Sequence, residues 1–178
     1  TNTIYAENED EAISKAIILD SRAAGIVFVA DAKNLKRSVA LFLHYLEYGL
    51  PMILDINMLD EAALRGIEID REKLSEILGV HVNTSVAVEG DGIPALKKEL
   101  DRLQRPKITV RYPAFIEDYL RVALRILGDT AVSRGVLLSL LAGDPLGWNH
   151  LKRQCDSGTF SEIRNLVTQT GKKTARPI

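Results

Sequence analysis

Two short segments of the chain carry side chains that could bind a purine base. Asn57 and Asp60 directly follow the apolar run PMILDI. Ser85, Val86 and Ala87 directly follow the run VHVNT. An Asp carboxylate can accept parallel hydrogen bonds from the N1–H and exocyclic N2–H₂ groups of guanine, a donor pair that adenine lacks. An Asn amide both donates and accepts, so it can bind the N7 edge of guanine and tether a neighbouring loop.

These residue types suggest a division of roles within a guanine pocket. Asp60 would select guanine, Asn57 would orient the base, and the backbone N–H of Ala87 would donate to O6. A simpler interpretation is that Asp60 caps a short helix over residues 61–65, since Asp is favoured at helix N-caps. Taken alone, the Asn-x-x-Asp spacing favours that simpler interpretation. The two segments in order, each at the end of a strand, favour the guanine pocket.

The surrounding sequence predicts the elements that would position these residues. Strands are predicted over residues 25–32, 51–57 and 80–86, and helices over 9–21, 36–48, 61–65, 71–78 and 93–103. Their alternation predicts an α/β fold with a doubly wound, mainly parallel sheet. Because the strands are continuously apolar, we expect both faces of the sheet to be covered. Ligands of such sheets bind outside the carboxyl ends of the strands, where both candidate segments lie.

The character of the sequence changes near Arg105 and Pro106. A β-rich stretch over residues 108–112 is followed by a largely helical region, with apolar faces over 116–127 and 136–141 and a weaker helix over 161–169. We therefore expect two domains, the C-terminal part of a nucleotide-binding domain over residues 1–105 and a small all-α domain over 106–178. Trp148 is expected to anchor the packing of the helical domain.

Composition narrows the classes of partner. The formal net charge is −1, so the basic excess that nucleic-acid binding requires is missing, and no nucleic acid partner is predicted. The single cysteine, Cys155, excludes an internal disulfide. His44, His81 and His150 are far apart in sequence, so no metal site is predicted. No apolar run approaches the ~20 residues needed to span a bilayer.

Beyond these motifs, the sequence resembles the cytoplasmic GTPase region of the bacterial ferrous iron transport protein B (FeoB) family over nearly its whole length. The resemblance rests on D-A-x-N-L-x-R after the first predicted strand, on N-M-x-D-E-A after the second, and on the stretch REKLSEILGVHVNTSVAVEGDGI that follows. VRYP and LLAGDP resemble the helical domain that follows the GTPase in this family. The polar opening over residues 1–10 resembles the tail of the family's switch loop.

The resemblance implies roles for individual residues. Asn57 and Asp60 match the family's guanine-specificity motif, and Met58 stands where Ras-like GTPases carry a Lys. Met can supply the apolar contact to the base without the charge. Ala87 matches the alanine of the family's Ser-Ala pair, but Val86 stands at the usual Ser. The backbone contact from Ala87 would survive this change, whereas a hydroxyl contact would be lost or would pass to Ser85.

The resemblance also implies a P-loop GTPase-like fold whose N-terminal part is missing. The chain contains no G-x-x-x-x-G-K-[ST] motif, and phosphoryl transfer depends on that phosphate cradle and on its Mg²⁺. Because the first residue is Thr1 rather than Met, we expect a fragment whose phosphate-binding half and Mg²⁺ ligands lie upstream. No catalytic residue is therefore predicted, and the fragment should not hydrolyse GTP. Loss of the upstream strands should leave a sheet edge exposed.

For the intact protein, the resemblance implies a GTPase that binds GTP or GDP with Mg²⁺ at the cytoplasmic face of the inner membrane. Its nucleotide state would regulate Fe²⁺ uptake through the transmembrane part of the same transporter, and assembly into a homo-oligomer is left open. The helical domain would act like a GDP-dissociation inhibitor. The alternative is a non-catalytic interaction module that derives from a GTPase.

Overall fold

The computed structural model describes residues 9–20 and 23–174. Most of the predicted switch-loop tail, residues 1–8, lies outside this part of the chain, as do residues 175–178. Two compact units are present. The first extends from Ala23 to Thr109, and the second combines the first described helix with the residues from Val110 onward. The predicted domain boundary after residue 105 falls four residues before the boundary between the units.

The first unit is built on a parallel sheet with strand order β1-β2-β3, in which β1 is Ile26–Asp31, β2 is Met52–Asn57 and β3 is His81–Thr84. The helices of this unit are α2 (Leu35–Leu46), α3 (Leu59–Leu64), α4 (Arg71–Leu78) and α5 (Ile93–Glu99), and those of the second unit are α1 (Glu9–Leu19), α6 (Ala114–Leu127), α7 (Arg134–Leu141), α8 (Pro145–Gln154) and α9 (Ser157–Thr174). The predicted α/β class with a parallel sheet is confirmed.

The register of the sheet aligns the carboxyl ends of its strands. Asp31 of β1 pairs with Asn57 of β2, and Ile56 of β2 pairs with Thr84 of β3. The loops that follow the three strands therefore leave the sheet at one edge. Both candidate segments lie at this edge, as the sequence predicts.

The two faces of β1 differ in burial. Val27 and Val29 are 38% and 58% exposed, whereas Ala30 is buried and Phe28 packs edge to face against Phe42 of α2 at 5.4 Å. The prediction that every strand is covered on both faces is thus wrong for β1 and holds for β2, whose residues from Met52 to Ile56 are all buried. The physical reason is that β1 is an edge strand with helix α2 on one face only, among the described residues.

Local turn chemistry sets the ends of α4. The Asp70 side chain accepts a hydrogen bond from the backbone N–H of Lys73 at 2.9 Å, which caps the first turn. Gly79 ends the helix with a left-handed φ of 64°. Two other elements of the first unit are shorter than predicted, since β3 ends at Thr84 and the last turn of the predicted helix over 93–103 is a 3-10 helix, Leu100–Arg102.

The second unit packs around an apolar core that α6 and α7 share. Tyr119 is buried and donates its hydroxyl hydrogen to the Leu137 carbonyl at 2.9 Å. Trp148 meets Phe160 edge to face at 5.7 Å, which confirms the expected packing role of Trp148. Helix α8 was not predicted as a separate element. Its signal was the Asp144-Pro145 pair, an N-cap followed by proline in the first turn.

The predicted strand over residues 108–112 is wrong, because these residues pair with side chains rather than with a sheet. The Arg134 guanidinium donates to the Val110 carbonyl at 3.2 Å, and the Tyr112 N–H donates to the Glu117 carboxylate at 2.9 Å. Hydrogen bonds from Arg134 and then from the Tyr112 N–H hold the pKa of Glu117 below its usual value.

None of the helices within the described residues is long and apolar enough to cross a membrane.

Candidate guanine-binding site

The structure brings the two candidate segments into direct contact. Asn57, the last residue of β2, accepts a hydrogen bond on Oδ1 from the backbone N–H of Ala87 at 3.0 Å. With Oδ1 engaged in this way, the Nδ2 group of Asn57 is the part of the amide that can donate to a base N7. The Ala87 N–H would have to be shared between Asn57 and a guanine O6, an arrangement that N–H groups do adopt.

Met58 adopts an uncommon backbone conformation next to Asn57. Its φ is 64°, and among the described residues it is the one non-glycine residue with a positive φ. The turn is held in place because the Ala62 N–H donates to the Met58 carbonyl at 3.1 Å and the Lys33 ammonium lies 3.2 Å from the Met58 sulfur. The Met58 side chain is 40% exposed, so apolar surface is available beside Asn57.

Asp60 lies in the first turn of α3 and does not cap it. The N-cap position belongs to Met58, and no side-chain hydrogen bond caps this helix. Helix α3 begins at Leu59, two residues before the predicted start, which moves Asp60 from the cap into the first turn. The simpler interpretation of Asp60 as an N-cap is therefore wrong. Its side chain is exposed, so the carboxylate is accessible to a ligand.

Ser85 and Val86 direct their polar groups into the protein. Ser85 is 1% exposed, and its hydroxyl donates to Asp55 Oδ2 at 2.8 Å. Val86 is 7% exposed, and its backbone N–H donates to the Asp91 carbonyl at 3.1 Å, which closes the loop after β3. The Ser85 hydroxyl therefore contacts the sheet and does not replace the hydroxyl contact expected from a Ser at position 86. Ser85 and Val86 instead determine the shape of the loop.

Gly92 ends this loop at a position that only glycine fits. Its φ is +75°, and a Cβ atom there would lie 2.1 Å from the Thr84 carbonyl oxygen and 2.9 Å from Ser85 Cα. No real Cβ approaches backbone so closely. The Gly-Asp-Gly sequence therefore lets the loop fold back onto the end of β3.

A charged residue outside both candidate segments also borders the site. Lys33 lies 2.6 Å from Glu61 Oε2 and 3.8 Å from Asp31 Oδ1, so it connects the loop after β1 with α3. Asp31 forms a turn, accepting hydrogen bonds from the Lys33 N–H at 2.8 Å and from Asn34 Nδ2 at 2.9 Å. Burial raises the pKa of Asp31, but these hydrogen bonds outweigh it and hold the pKa below its usual value.

Comparison with known proteins identifies the family. Residues 1–100 match the family described as Ferrous iron transport protein B. The Fe(2+) transporters FeoB of Salmonella typhimurium and Escherichia coli K12 are each 43% identical to this chain over 93 residues. The aligned part is 52% of this chain, and the chain spans only 12% of the length of these curated relatives.

Solved structures show the same fold. NFeoB from S. thermophilus bound to GDP, AlF4⁻ and K⁺ superposes with a TM-score of 0.82 at 23% identity, covering 98% of this chain and 70% of that one. The cytosolic domain of the T. maritima FeoB iron transporter in its GMPPNP form superposes with a TM-score of 0.75 at 25% identity, covering 97% and 73%. The family match extends over more than half of the chain, and the chain therefore belongs to the ferrous iron transport protein B family.

Proposed function

We propose that this chain supplies the base-binding half of a guanine-nucleotide site. The observation that carries the proposal is the hydrogen bond from Ala87 N–H to Asn57 Oδ1, because it assembles the two candidate segments at the carboxyl edge of the sheet. In this site Asp60 accepts from N1–H and N2–H₂ of guanine, Asn57 donates to N7, and Met58 contacts the face of the base. Ser85, Val86 and Ala87 form the loop that borders O6.

For the whole protein, we propose transport of ferrous iron regulated by a guanine nucleotide. GTP or GDP binds with Mg²⁺, GTP is hydrolysed, and the nucleotide state regulates Fe²⁺ passage through a transmembrane part of the same protein, with this region at the cytoplasmic face of the membrane. The support is the sequence identity to proteins named Fe(2+) transporter FeoB. In functional terms we propose residues 1–105 as nucleotide-binding and 106–178 as the helical, GDP-dissociation-inhibitor-like domain.

Catalysis is not assigned to residues of this chain. The sequence holds no G-x-x-x-x-G-K-[ST] motif, and the described residues hold no group of three or more His, Cys, Asp or Glu side chains that could bind a metal ion. A Mg²⁺ ion at the nucleotide phosphates would neutralise charge on the transferred phosphoryl group. What the residues described here do is select and orient the base.

Nucleotide competition tests the base site. A fluorescent GDP analogue is titrated into the complete product of the gene and displaced with GDP, ADP and xanthosine diphosphate. We expect GDP to displace the analogue at concentrations at least about 100-fold below those of ADP, since an unsatisfied Asp60 would penalise adenine by roughly 1–3 kcal/mol per lost partner. Equal displacement by GDP and ADP would overturn the guanine site.

Two further assays test the remaining proposal. The complete gene product should release phosphate from GTP, whereas the 178-residue chain should not. Guanine-specific binding without phosphate release by the complete product would favour the non-catalytic interaction module instead. In cells, deletion of the gene should lower the uptake of radioactive Fe²⁺, and uptake should return with the wild-type gene but not with an Asp60→Asn variant.

A further inference from the structure

An acidic side chain interrupts the apolar core strand of the sheet. Asp55 is 3% exposed, and its neighbours Leu54 and Ile56 on β2 are completely buried. A buried carboxylate is unfavourable unless hydrogen bonds satisfy it. The Asp stands out in the sequence run MILDIN, yet neither the strand nor the base contacts described above require it.

Two buried donors satisfy the Asp55 carboxylate. Asn83, its register partner on β3, donates from Nδ2 to Oδ1 at 2.7 Å. Ser85, the first residue of the loop after β3, donates from Oγ to Oδ2 at 2.8 Å. Asn83 and Ser85 are themselves only 3% and 1% exposed. Such short hydrogen bonds to a carboxylate are strong inside a protein.

The same two donors connect Asp55 to both ends of the loop between β3 and α5. Ser85 begins the loop, and its backbone N–H also donates to the Ile56 carbonyl at 2.9 Å. Asn83 Nδ2 lies 3.3 Å from the carbonyl oxygen of Gly92, at the loop's far end. One carboxylate on β2 thus fixes the position of the loop that carries Ala87.

Asp55 also decides where the Ser85 hydroxyl hydrogen points. Ser85 Oγ lies 2.8 Å from Asp55 Oδ2 and 3.3 Å from Asn57 Oδ1, and a hydroxyl has one hydrogen to donate. The shorter, charge-assisted bond to Asp55 takes it. Asn57 Oδ1 is then left to accept from the Ala87 N–H at 3.0 Å. Without the carboxylate, Ser85 would donate to Asn57 Oδ1, and this oxygen would be shared between two donors, which weakens its hydrogen bond from Ala87.

We propose that Asp55 is a positioning residue for guanine binding. It touches no part of the nucleotide, and it directs the Ser85 hydroxyl away from Asn57, which strengthens the hydrogen bond by which Ala87 tethers the two base-contacting loops. This inference rests on the proposed function, because it concerns the same site. It assigns specificity to a residue outside the Asn-x-x-Asp motif. It also gives the buried hydroxyl of Ser85 a defined role.

A pair of variants separates positioning from mere stability. Asp55→Asn keeps the shape of the side chain, but its new amide donates to Ser85 Oγ and so drives the hydroxyl hydrogen toward Asn57. We expect the affinity of the complete gene product for GDP to fall about tenfold, equivalent to about 1.4 kcal/mol. Adding Ser85→Ala removes this second donor to Asn57 Oδ1, so the double variant should return to within about threefold of Ser85→Ala alone.

Controls make each outcome decisive. Leu78→Ala truncates a core residue of α4 away from the loop and should lower the melting temperature without changing the GDP affinity. Amide hydrogen exchange at Ala87 reports the tether directly and should be faster in Asp55→Asn only while Ser85 is present. Wild-type GDP affinity with unchanged Ala87 exchange in Asp55→Asn overturns the positioning role. Loss of affinity that Ser85→Ala does not restore overturns it as well.

Failure of the proposed function gives a different result. If wild-type protein does not prefer guanine nucleotides, the proposed function fails. The rate of amide hydrogen exchange at Ala87 still reports whether its hydrogen bond to Asn57 is present in the variants. A protected Ala87 amide in Asp55→Asn would then contradict the inference independently.

Discussion

Ala87 N–H and Asn57 Oδ1 lie 3.0 Å apart and join two loops that are 30 residues apart in the sequence. Asn57 ends β2, and Ala87 lies in the loop after β3. The hydrogen bond makes the two loops one structural unit, so a change that moves either loop should alter the binding of the base.

Asp60→Asn should change which base the site prefers. Guanine presents N1–H and N2–H₂ to the Asp60 carboxylate, whereas xanthine presents an oxygen at C2 to which an Asn amide can donate. We expect GDP to bind more weakly by about 1.5–3 kcal/mol and xanthosine diphosphate to bind more tightly than to wild type. Competition binding on the complete gene product measures both. Asp70→Asn, at the N-cap of α4, is the matched control and should change neither affinity.

Gly92→Ala should damage the fold of the loop far more than Gly90→Ala. Both glycines have a left-handed φ, +75° and +78°, so each substitution carries backbone strain of roughly 1–2 kcal/mol. Only at Gly92 does the new Cβ meet backbone, 2.1 Å from the Thr84 oxygen. Urea unfolding should show Gly92→Ala at least about 2 kcal/mol less stable than Gly90→Ala, within the range of severe point mutations. Equal losses would mean that the loop does not pack on the end of β3 as described.

Lys15→Met should destabilise the helical unit strongly. Lys15 and Asp144 form an ion pair with side chains only 8% and 9% exposed, so the substitution leaves a buried carboxylate without its partner, at a cost of about 3–5 kcal/mol. Adding Asp144→Asn removes the charge while preserving the N-cap of α8, and should recover most of the loss. The fluorescence of Trp148, the single tryptophan, reports unfolding of this unit.

Arg153→Met is the control for that ion pair. It breaks the contact with Asp20, in which the side chains are 62% and 41% exposed, and should cost less than about 1 kcal/mol. A similar loss for Lys15→Met and Arg153→Met would show that the Lys15–Asp144 pair is solvated.

The stability of the helical unit should fall as the pH falls below about 6.5, the ordinary pKa of histidine. Burial lowers the pKa of His150, Arg153 lowers it further, and Asp20 raises it. Between the lowered pKa and 6.5, the unfolded chain binds more protons than the folded one. The free energy of unfolding therefore decreases with falling pH, by up to ~1.4 kcal/mol per pH unit.

Urea titrations between pH 5 and 7, followed by Trp148 fluorescence, measure this dependence. The difference between wild type and His150→Gln isolates the contribution of His150, whose Nδ1 is buried without a hydrogen-bond partner among the described residues. A wild-type slope that His150→Gln does not reduce would assign the pH dependence to other groups.

Much of the fold follows from short-range patterns. The alternation of apolar strands with amphipathic helices predicts the parallel sheet, because each pattern depends on residues only two to four positions apart. Asp70 and Gly79 set the ends of α4 through their own backbone neighbours. The candidate base-binding residues are likewise visible, since Asn57, Asp60 and Ala87 follow strands whose carboxyl ends must meet at one edge.

What the sequence did not determine depends on partners distant in the chain. Residues 108–112 have the composition of a strand, but Arg134 and Glu117 take their backbone hydrogen bonds. The burial of β1 could not be inferred from its apolar run, because burial depends on which elements cover each face. Asp55 finds its donors 28 and 30 residues later. Residue type and spacing thus determined the candidate contacts to the base, whereas tertiary packing decided which oxygen each donor reaches, because a hydrogen bond depends on distance and direction in space.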